Sequence, residues 1–332
     1  MEIAHVQAGD IRMHYLHAGT GSPIVLVHGF PQTSYEWRFV APRLAEHHTV
    51  YAIDTRGHGG TDKPADGYTR AELAADIVHF LDALGLEQAT IVGHDWGGII
   101  ACKLALDWPD RVSRLALVDT ICTGWPSFVD YYYWFMAAPL PERFLATYHR
   151  QWIVTLFMGT SDPPIPTAPE SSRHAAERAV PMPWATKEDI DVYAAAVADP
   201  AVHAADIAYY RSLPFHRVIT DPAAPGGERY ERVTQAEMAQ LWVENRAGRQ
   251  YLDYAPEDRH KHYPGPALWL YSEAFLRRAK CTIENGVPVG EPAFEIFPRL
   301  FPRLQLEGVA AGHFLPEEVP ELVADRILRF AS

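Results

Sequence analysis

Cysteine is scarce in this sequence. Cys102, Cys122 and Cys281 are the only three in a chain of 332 residues, and they stand far apart without metal-ligand spacing. Neither a disulfide framework nor a zinc site is suggested, and a reducing compartment fits. Long apolar runs are missing too. Nowhere do about 18 apolar residues follow one another, and the opening MEIAHVQAGDIRMHY has no basic stretch leading into an apolar core, so neither a membrane span nor a secretory leader is expected. Basic runs are equally absent. With 42 acidic against 29 basic residues and a formal net charge of -13, no stretch would track a phosphate backbone, which removes nucleic acid from the expected partners. No internal repeat or low-complexity tract is present. What remains is the expectation of a cytoplasmic protein, 48% hydrophobic and 12% aromatic, with enough apolar mass for one large core carrying a smaller appendage.

Short apolar runs bounded by turn residues mark the first third of the chain: Ile24 to Val27, Thr49 to Ile53, Thr90 to Val92 and Leu115 to Val118, each of strand length. Arg70 to Leu84 has apolar residues at 73, 77, 80, 81 and 84, a helical spacing that ends at Gly85. Strands alternating with helices predict a mostly parallel sheet with helices on both faces. From 123 the pattern changes to aromatic, proline-punctuated helical segments: 131 to 136, 144 to 158, 187 to 197 and 203 to 213. Residues 221 to 263 are more polar and are read as a loop plus one helix over 235 to 246. Strand and helix patterns return at Ala267 to Tyr271, Leu304 to Val309 and Val319 to Phe330. The expected organisation is one α/β core, 1–122 and 264–332, interrupted after its sixth strand by a mainly helical cap over 123–263.

The stretch Ile91-Val92-Gly93-His94-Asp95-Trp96-Gly97-Gly98 runs from a buried strand into a glycine-rich turn. Glycines flanking one reactive side chain are how a strand-to-helix junction holds out a nucleophile, and here that side chain is a carboxylate where serine is usual. A carboxylate is ionised at neutral pH and needs no base to attack a saturated carbon. The resulting ester must then be hydrolysed by water, with a general base and donors for the oxyanion.

Four landmarks occur in order: His28-Gly29-Phe30-Pro31, Asp54-Thr55-Arg56-Gly57-His58-Gly59, the Asp95 turn, and Ala311-Gly312-His313-Phe314. Together they resemble the α/β-hydrolase superfamily. HGFPQT, YEWR, DTRGHGGTDKP and GHDWGG are similar to its aspartate-nucleophile branch of epoxide hydrolases and dehalogenases, over residues of roughly 20 to 120 and 265 to 330 and only in part through the insertion. The resemblance implies Asp95 as nucleophile, His313 as base, and the backbone N–H groups of Phe30 and Trp96 as the oxyanion hole. It also implies that no metal or organic cofactor is needed. The acid that orients His313 commonly follows the seventh strand as G-E-x-D, but Ser272-Glu273-Ala274-Phe275 puts phenylalanine where that aspartate would fall. Asp119, 24 positions after Asp95 and at the end of the sixth strand, is assigned instead, with Glu273 as the alternative.

The segment DPAVHAADIAYYR resembles the cap of epoxide hydrolases and haloacetate dehalogenases, and Tyr210 matches the phenol that donates to an epoxide oxygen. Tyr148 is the nearest candidate for a second donor. Haloacetate dehalogenases clamp a carboxylate with arginines beside the nucleophile, whereas this chain has Trp96 and Ile99 there, which disfavours an anionic substrate. Neutral haloalkanes stay open, since the Trp96 indole could serve a leaving halide. A non-catalytic binding protein on the same fold is the alternative of another class, against which stand Asp95, Asp119 and His313. The expected partners are a small neutral organic substrate and water, with a homodimer left open. The plainer readings are a turn aspartate for Asp95, a helix N-cap for Asp119, structural hydrogen bonding for His28 and His94, packing for Tyr131 to Trp134, and a solvated loop for His260 and His262.

Overall fold

The structure, a computed structural model, describes residues 1–125, 131–158, 184–224, 227–243 and 252–332. Its centre is a sheet of eight strands: β1 (Glu2–Ala8), β2 (Ile11–Ala18), β3 (Pro23–Val27), β4 (Thr49–Ile53), β5 (Ala89–His94), β6 (Val112–Val118), β7 (Ala267–Ser272) and β8 (Leu304–Val309). The spatial order is β1-β2-β4-β3-β5-β6-β7-β8, antiparallel at β1/β2 and β2/β4 and parallel elsewhere. The runs that mark strands in the sequence are those covered on both faces. Ile24 to Val27 and Leu115 to Val118 are wholly buried, as central parallel strands require. The β1–β2 hairpin carries no such run. Glu2–Ala8 lies at the sheet edge with most of its residues at least partly exposed, so it goes unread in the sequence.

The helix Arg70–Ala83 begins with a capping box between Thr69 and Glu72 and stops before Gly85, whose φ of +67° suits a residue without a Cβ. Trp96–Asp107 follows β5 directly and is buried on every side up to Leu106, so it has no amphipathic period to read. Pro320–Ala331 lays Val323, Ala324, Ile327 and Phe330 on the core.

The chain divides into two compact units, 1–122 with 258–332, and 123–257. Residues 258–263 lie in the first. There the buried Asp258 receives Arg70, Lys103 and Lys261 at 2.8, 2.8 and 2.9 Å, and Tyr263 donates its hydroxyl to the Val112 carbonyl at 3.0 Å. Cys102 and Cys122 are joined in a disulfide, which corrects the expectation of unpaired cysteines. The two are 20 positions apart, but β6 returns alongside the helix that follows β5 and brings both sulfurs together.

The second unit is the cap region after β6. Its helices are Tyr131–Met136, Leu140–Met158, Lys187–Ala196, Pro200–Arg211 and Gln235–Val243; positions 244–246 of the last expected helix lie outside the described residues. The cap also contains a four-stranded antiparallel sheet, ordered Gly124–Trp125, Leu252–Asp253, His216–Thr220 and Glu228–Arg232. Part of the stretch read as a loop is therefore a hairpin. HRVIT and ERYER are short and half-exposed, so neither leaves the apolar run by which a strand is recognised. Trp134 is buried against Phe135, Phe144 and Trp152; the side chains of 131–133 lie outside what is described. Among the described residues no helix is long and apolar enough to cross a membrane.

Candidate active site

Three of the four landmarks end core strands on one rim of the sheet and the fourth follows β8, at the carboxyl ends where open α/β sheets bind ligands. Asp95 sits between β5 and the helix Trp96–Asp107 with φ 47° and ψ −118°, a backbone conformation that non-glycine residues rarely adopt. The flanking glycines make this turn sterically feasible. A Cβ on Gly93 would meet the Gly97 carbonyl oxygen at 2.3 Å, and one on Gly97 would meet that of Val27 at 2.1 Å. The turn is pinned from β6 as well, since the Asp95 N–H donates to the Val118 carbonyl at 3.2 Å and the Thr120 hydroxyl to the Asp95 carbonyl at 2.6 Å.

The carboxylate has two neighbours. Its Oδ1 accepts the Phe30 N–H at 2.9 Å, and its Oδ2 lies 3.4 Å from His313 Nε2. The other ring nitrogen of His313 is 2.6 Å from Asp119 Oδ2, while Asp119 Oδ1 accepts the Ser272 N–H at 2.6 Å. Asp119, φ 42°, is wholly buried, whereas Asp95 and His313 keep about a quarter of their side chains exposed, 26% and 27%. The two groups that would meet a substrate are thus the accessible ones. Glu273 is on no part of this chain of contacts; it is half-exposed and faces Arg277 at 3.4 Å. Phe275, in the place of the usual aspartate, has its ring 6.0 Å from that of His313.

Charge explains the protonation. Burial alone would lower the pKa of His313, but the hydrogen bonds and charges of Asp119 and Asp95 override it and push it up to about 10. Burial would likewise raise Asp95, and the His313 imidazolium, helped by His94 and the Phe30 N–H, holds it below the usual carboxylate range instead. The N-terminus of the helix Trp96–Asp107, whose Gly98 and Ile99 N–H groups bond to the Asp95 carbonyl at 2.9 and 3.1 Å, favours a negative charge in the same direction. At rest this favours a carboxylate at Asp95 beside an imidazolium at His313.

The remaining landmark residues hold these groups in place. Asp54 is buried and accepts the Ser34 and Gly60 N–H groups at 2.7 and 2.8 Å while facing His14 at 2.8 Å. It thereby ties its own motif to the turn that carries Phe30. His28 Nε2 accepts the Thr55 N–H at 3.1 Å, in keeping with its structural reading. Three residues have roles that the sequence did not disclose. Glu318 accepts the Gly312 and Phe314 N–H groups at 2.6 and 3.0 Å and so clamps the loop of His313; Thr120 holds Asp95 as described; and the buried Glu36 accepts the Gly29 N–H at 3.0 Å, just before Phe30. Glu36 stands inside the quoted YEWR, but nothing there distinguishes it from a solvated carboxylate.

The two cap candidates are described within their own unit. Tyr210, on the helix Pro200–Arg211, is buried and stacks on Phe135 with ring centroids 4.1 Å apart. Next to it Arg211 bonds to the Phe135 carbonyl and to Glu142 at 2.8 and 2.6 Å. Tyr148 falls at a break inside Leu140–Met158, with φ −124° and ψ 18°, its ring 5.8 Å from that of Phe144. His260 and His262 are exposed, and among the described residues no group of three or more His, Cys, Asp or Glu could hold a metal ion.

A mostly parallel sheet in this strand order, with a carboxylate at the elbow after β5 and a histidine after β8, defines a hydrolase architecture. A family model for the alpha/beta hydrolase fold matches residues 22–152. Epoxide hydrolase 3 of Siraitia grosvenorii is 32% identical over 247 residues, 67% of this chain and 76% of that protein. The soluble epoxide hydrolase of Corynebacterium sp. (strain C12) is 47% identical over 122 residues, 36% of this chain and 43% of that protein, so the match spans less than half of that relative. Among solved structures, the epoxide hydrolase CorEH without ligand superimposes with a TM-score of 0.67 at 25% identity, over 99% of this chain and 98% of that one. The chain belongs to the α/β-hydrolase family.

Proposed function

We propose that this chain opens a small, neutral epoxide to a vicinal diol through a covalent ester on Asp95, without a metal or organic cofactor. The observation that carries the reading is a carboxylate at the elbow, 3.4 Å from a histidine nitrogen whose ring is held on its other side by a buried carboxylate at 2.6 Å. In the first half-reaction an Asp95 oxygen attacks a ring carbon, the carbon–oxygen bond of the epoxide breaks, and the freed oxygen takes a proton from Tyr210. A phenol, with its pKa near 10, is a suitable donor to a strongly basic alkoxide. Esterification removes the charge of Asp95, one of the two that hold the His313 pKa up. His313 then releases a proton to water and the Tyr210 phenolate takes one from water, so the protons balance and the neutral imidazole is free to act as a base.

In the second half-reaction neutral His313 takes a proton from water, and the oxygen attacks Cγ of the ester. The tetrahedral oxyanion is met by the N–H groups of Phe30 and Trp96. Collapse expels the diol oxygen, which takes the proton from His313, and the carboxylic acid left on Asp95 returns its own proton to His313. Epoxide and water are consumed and diol is formed. Trp96 and Ile99 beside the nucleophile offer no guanidinium to an anionic substrate, which supports a neutral one.

The second reading is a hydrolytic dehalogenase using the same ester, in keeping with the position of Asp119 after β6, where some dehalogenases and a minority of epoxide hydrolases place this acid. Both readings are tested by intact-mass spectrometry of His313→Gln after addition of styrene oxide or 1-chlorobutane. An adduct of the epoxide's mass on Asp95 that persists for hours is expected. An adduct from the haloalkane alone would select the dehalogenase, and an unmodified protein consuming epoxide at the wild-type rate would remove the ester mechanism altogether.

A further inference from the structure

Ester hydrolysis asks more of the site's geometry than ester formation does, because a base and oxyanion donors must converge on one carbon, Cγ of Asp95. The Trp96 N–H is next to Asp95 in the chain, and the elbow fixes it there. Phe30 and His313 come from different loops, one after β3 and one after β8. These strands stand four steps apart in the sheet, about 19 Å at the usual spacing of about 4.8 Å. The hydrogen bonds of the sheet join them through three intervening strands. A direct link between the two loops holds donor and base more closely than that route can.

Glu317 makes such a link. It lies in the turn Leu315–Glu318, just after His313, and its side chain is wholly buried. One carboxylate oxygen faces Arg38 Nη1 at 2.5 Å, and the other accepts the side-chain N–H of Gln32 at 3.3 Å. Gln32 is fully buried too. Its backbone N–H bonds to the Gly29 carbonyl at 2.8 Å, closing the four-residue turn that contains Phe30. Arg38 follows the short helix Ser34–Trp37. Its Nη1 also donates to the Tyr35 carbonyl at 3.2 Å, and its guanidinium lies over the rings of Tyr35 and Phe39 at 4.3 and 4.4 Å, so its own segment holds the cation in place. On the other side, the Glu317 N–H bonds to the Phe314 carbonyl at 2.9 Å and the Leu315 N–H to the His313 carbonyl at 3.0 Å. A guanidinium and an amide N–H both require an acceptor, and the carboxylate of Glu317 offers one oxygen to each.

The geometry points to Glu317 as a positioning residue: a buried carboxylate that, through Arg38 and Gln32, sets the distance between the Phe30 N–H of the oxyanion hole and the His313 base. This rests on the ester mechanism proposed above. The two adjacent glutamates divide the task. Glu318 fixes the shape of the His313 loop, and Glu317 fixes where that loop stands against the Phe30 turn. Ester formation depends less on this link, since Asp95 attacks as a carboxylate already aimed by its elbow and a looser N–H bond does not make it a weaker nucleophile. Hydrolysis needs donor and base in register.

Hydrogen exchange of the resting enzyme reads the link without turnover. In Glu317→Gln, peptides spanning 28–33 are expected to exchange about tenfold faster than in the wild type, the effect of weakening one hydrogen bond to a charged group, with peptides from β6 unchanged. In single-turnover kinetics with styrene oxide, Glu317→Gln should leave ester formation within about threefold and slow ester hydrolysis at least about tenfold, less than a displacement of about 1 Å can cost. Arg38→Gln should do the same, and the double variant should be no slower than the slower single one, because both substitutions break the same contact. The double variant leaves neither charge of the pair buried alone, so if Glu317→Gln fails to fold, its formation and hydrolysis rates must divide in the same way. Losses equal in the two half-reactions, single losses that multiply in the double variant, or faster exchange confined to residues 315–318 overturn the assignment. A wild type that forms no ester with styrene oxide removes the functional reading instead, and the exchange measurement still decides the link.

Discussion

Asp95 and Tyr210, the proposed nucleophile and the proposed donor, sit in different surroundings. In the first unit the carboxylate, its base and its acid are fixed by directed contacts of 2.6 to 3.4 Å, two of the four to backbone N–H groups at strand ends that the sheet cannot move independently. In the second unit the assigned donor lies against a ring. Tyr210 stacks on Phe135, and Trp134 sits edge-on to Phe144 and tilted against Trp152. Hydrogen bonds to charged groups set distance and angle closely, whereas aromatic packing accepts several arrangements of similar energy. The difference assigns the two parts separate tasks. On the proposed mechanism, the core would supply chemistry common to any electrophile that can esterify Asp95, and the proposed donor Tyr210 would serve one kind of leaving group.

The largest effect should come from the core and should ignore the substrate. Asp119→Asn removes the acceptor that fixes the His313 tautomer and stabilises its charged form, and in acyl transfer such a change costs several orders of magnitude. Ester hydrolysis is therefore expected to slow about a thousandfold or more, whether the ester came from an epoxide or a haloalkane, in rapid-quench single turnovers. Glu273→Gln, half-exposed and turned to Arg277, should leave the rate within about twofold, the usual fate of a solvated surface group. If Glu273→Gln proves the crippled variant, the acid follows β7 and Asp119 is only a structural residue.

The cap should show the opposite selectivity. Tyr210→Phe keeps the ring that stacks on Phe135 and deletes the hydroxyl, so packing is preserved and the proton is lost. General-acid assistance is worth about a hundredfold or more, and alkylation of Asp95 by styrene oxide should slow by that amount. Alkylation by 1-chlorobutane, whose leaving group needs no proton, should not change. Equal losses on both substrates would erase the distinction between the units, because Tyr210 would then be shaping the site rather than donating to one kind of leaving group.

The same division explains what could be read from the sequence. Asp95, Asp119 and His313 were legible because each stands in an unbroken motif at the end of a strand, and strand order alone brings Asp119 against a histidine 194 positions away. Asp119 needed one step more, the elimination of Phe275, and the contact of that ring with His313 is the packing counterpart of the missing carboxylate. The Cys102–Cys122 bond, the β1–β2 hairpin and the cap sheet were not legible. Their signals are a spatial return of the chain, an edge strand without a buried run, and short half-exposed strands. Glu36 is the sharpest case. Its charge suggests solvent, and its burial follows from a partner 58 positions later, His94, that no local pattern announces. Tyr148 was chosen by proximity in sequence, whereas its backbone break depends on the packing of the cap.

The smallest effect is on stability, and it belongs to the core alone. The pKa of His313 is raised from an ordinary 6.5 to about 10 by Asp119 and Asp95 acting against burial. Below about pH 6.5 the ring is protonated both folded and unfolded, and the stabilisation it draws from the two carboxylates is fully present. Between that value and about pH 10 the unfolded chain gives up the proton while the folded chain keeps it, so stability falls as pH rises and the contribution is gone above the folded value. Asp95, held below the ordinary carboxylate range, contributes in the opposite direction, above its unfolded pKa, with loss on acidification. Thermal unfolding from pH 6 to 10.5 should therefore show the wild-type midpoint approaching that of His313→Gln by a few degrees, since about 1 kcal/mol moves a domain of 150 to 250 residues by roughly 2 to 4 °C. Taking the difference between the two proteins removes the alkaline contributions they share, among them the buried thiol of Cys281 and the phenol of Tyr263, both raised by burial. Midpoints that stay parallel across the whole range would mean that His313 is not charged in the folded protein, and the resting imidazolium beside the Asp95 carboxylate would have to be abandoned.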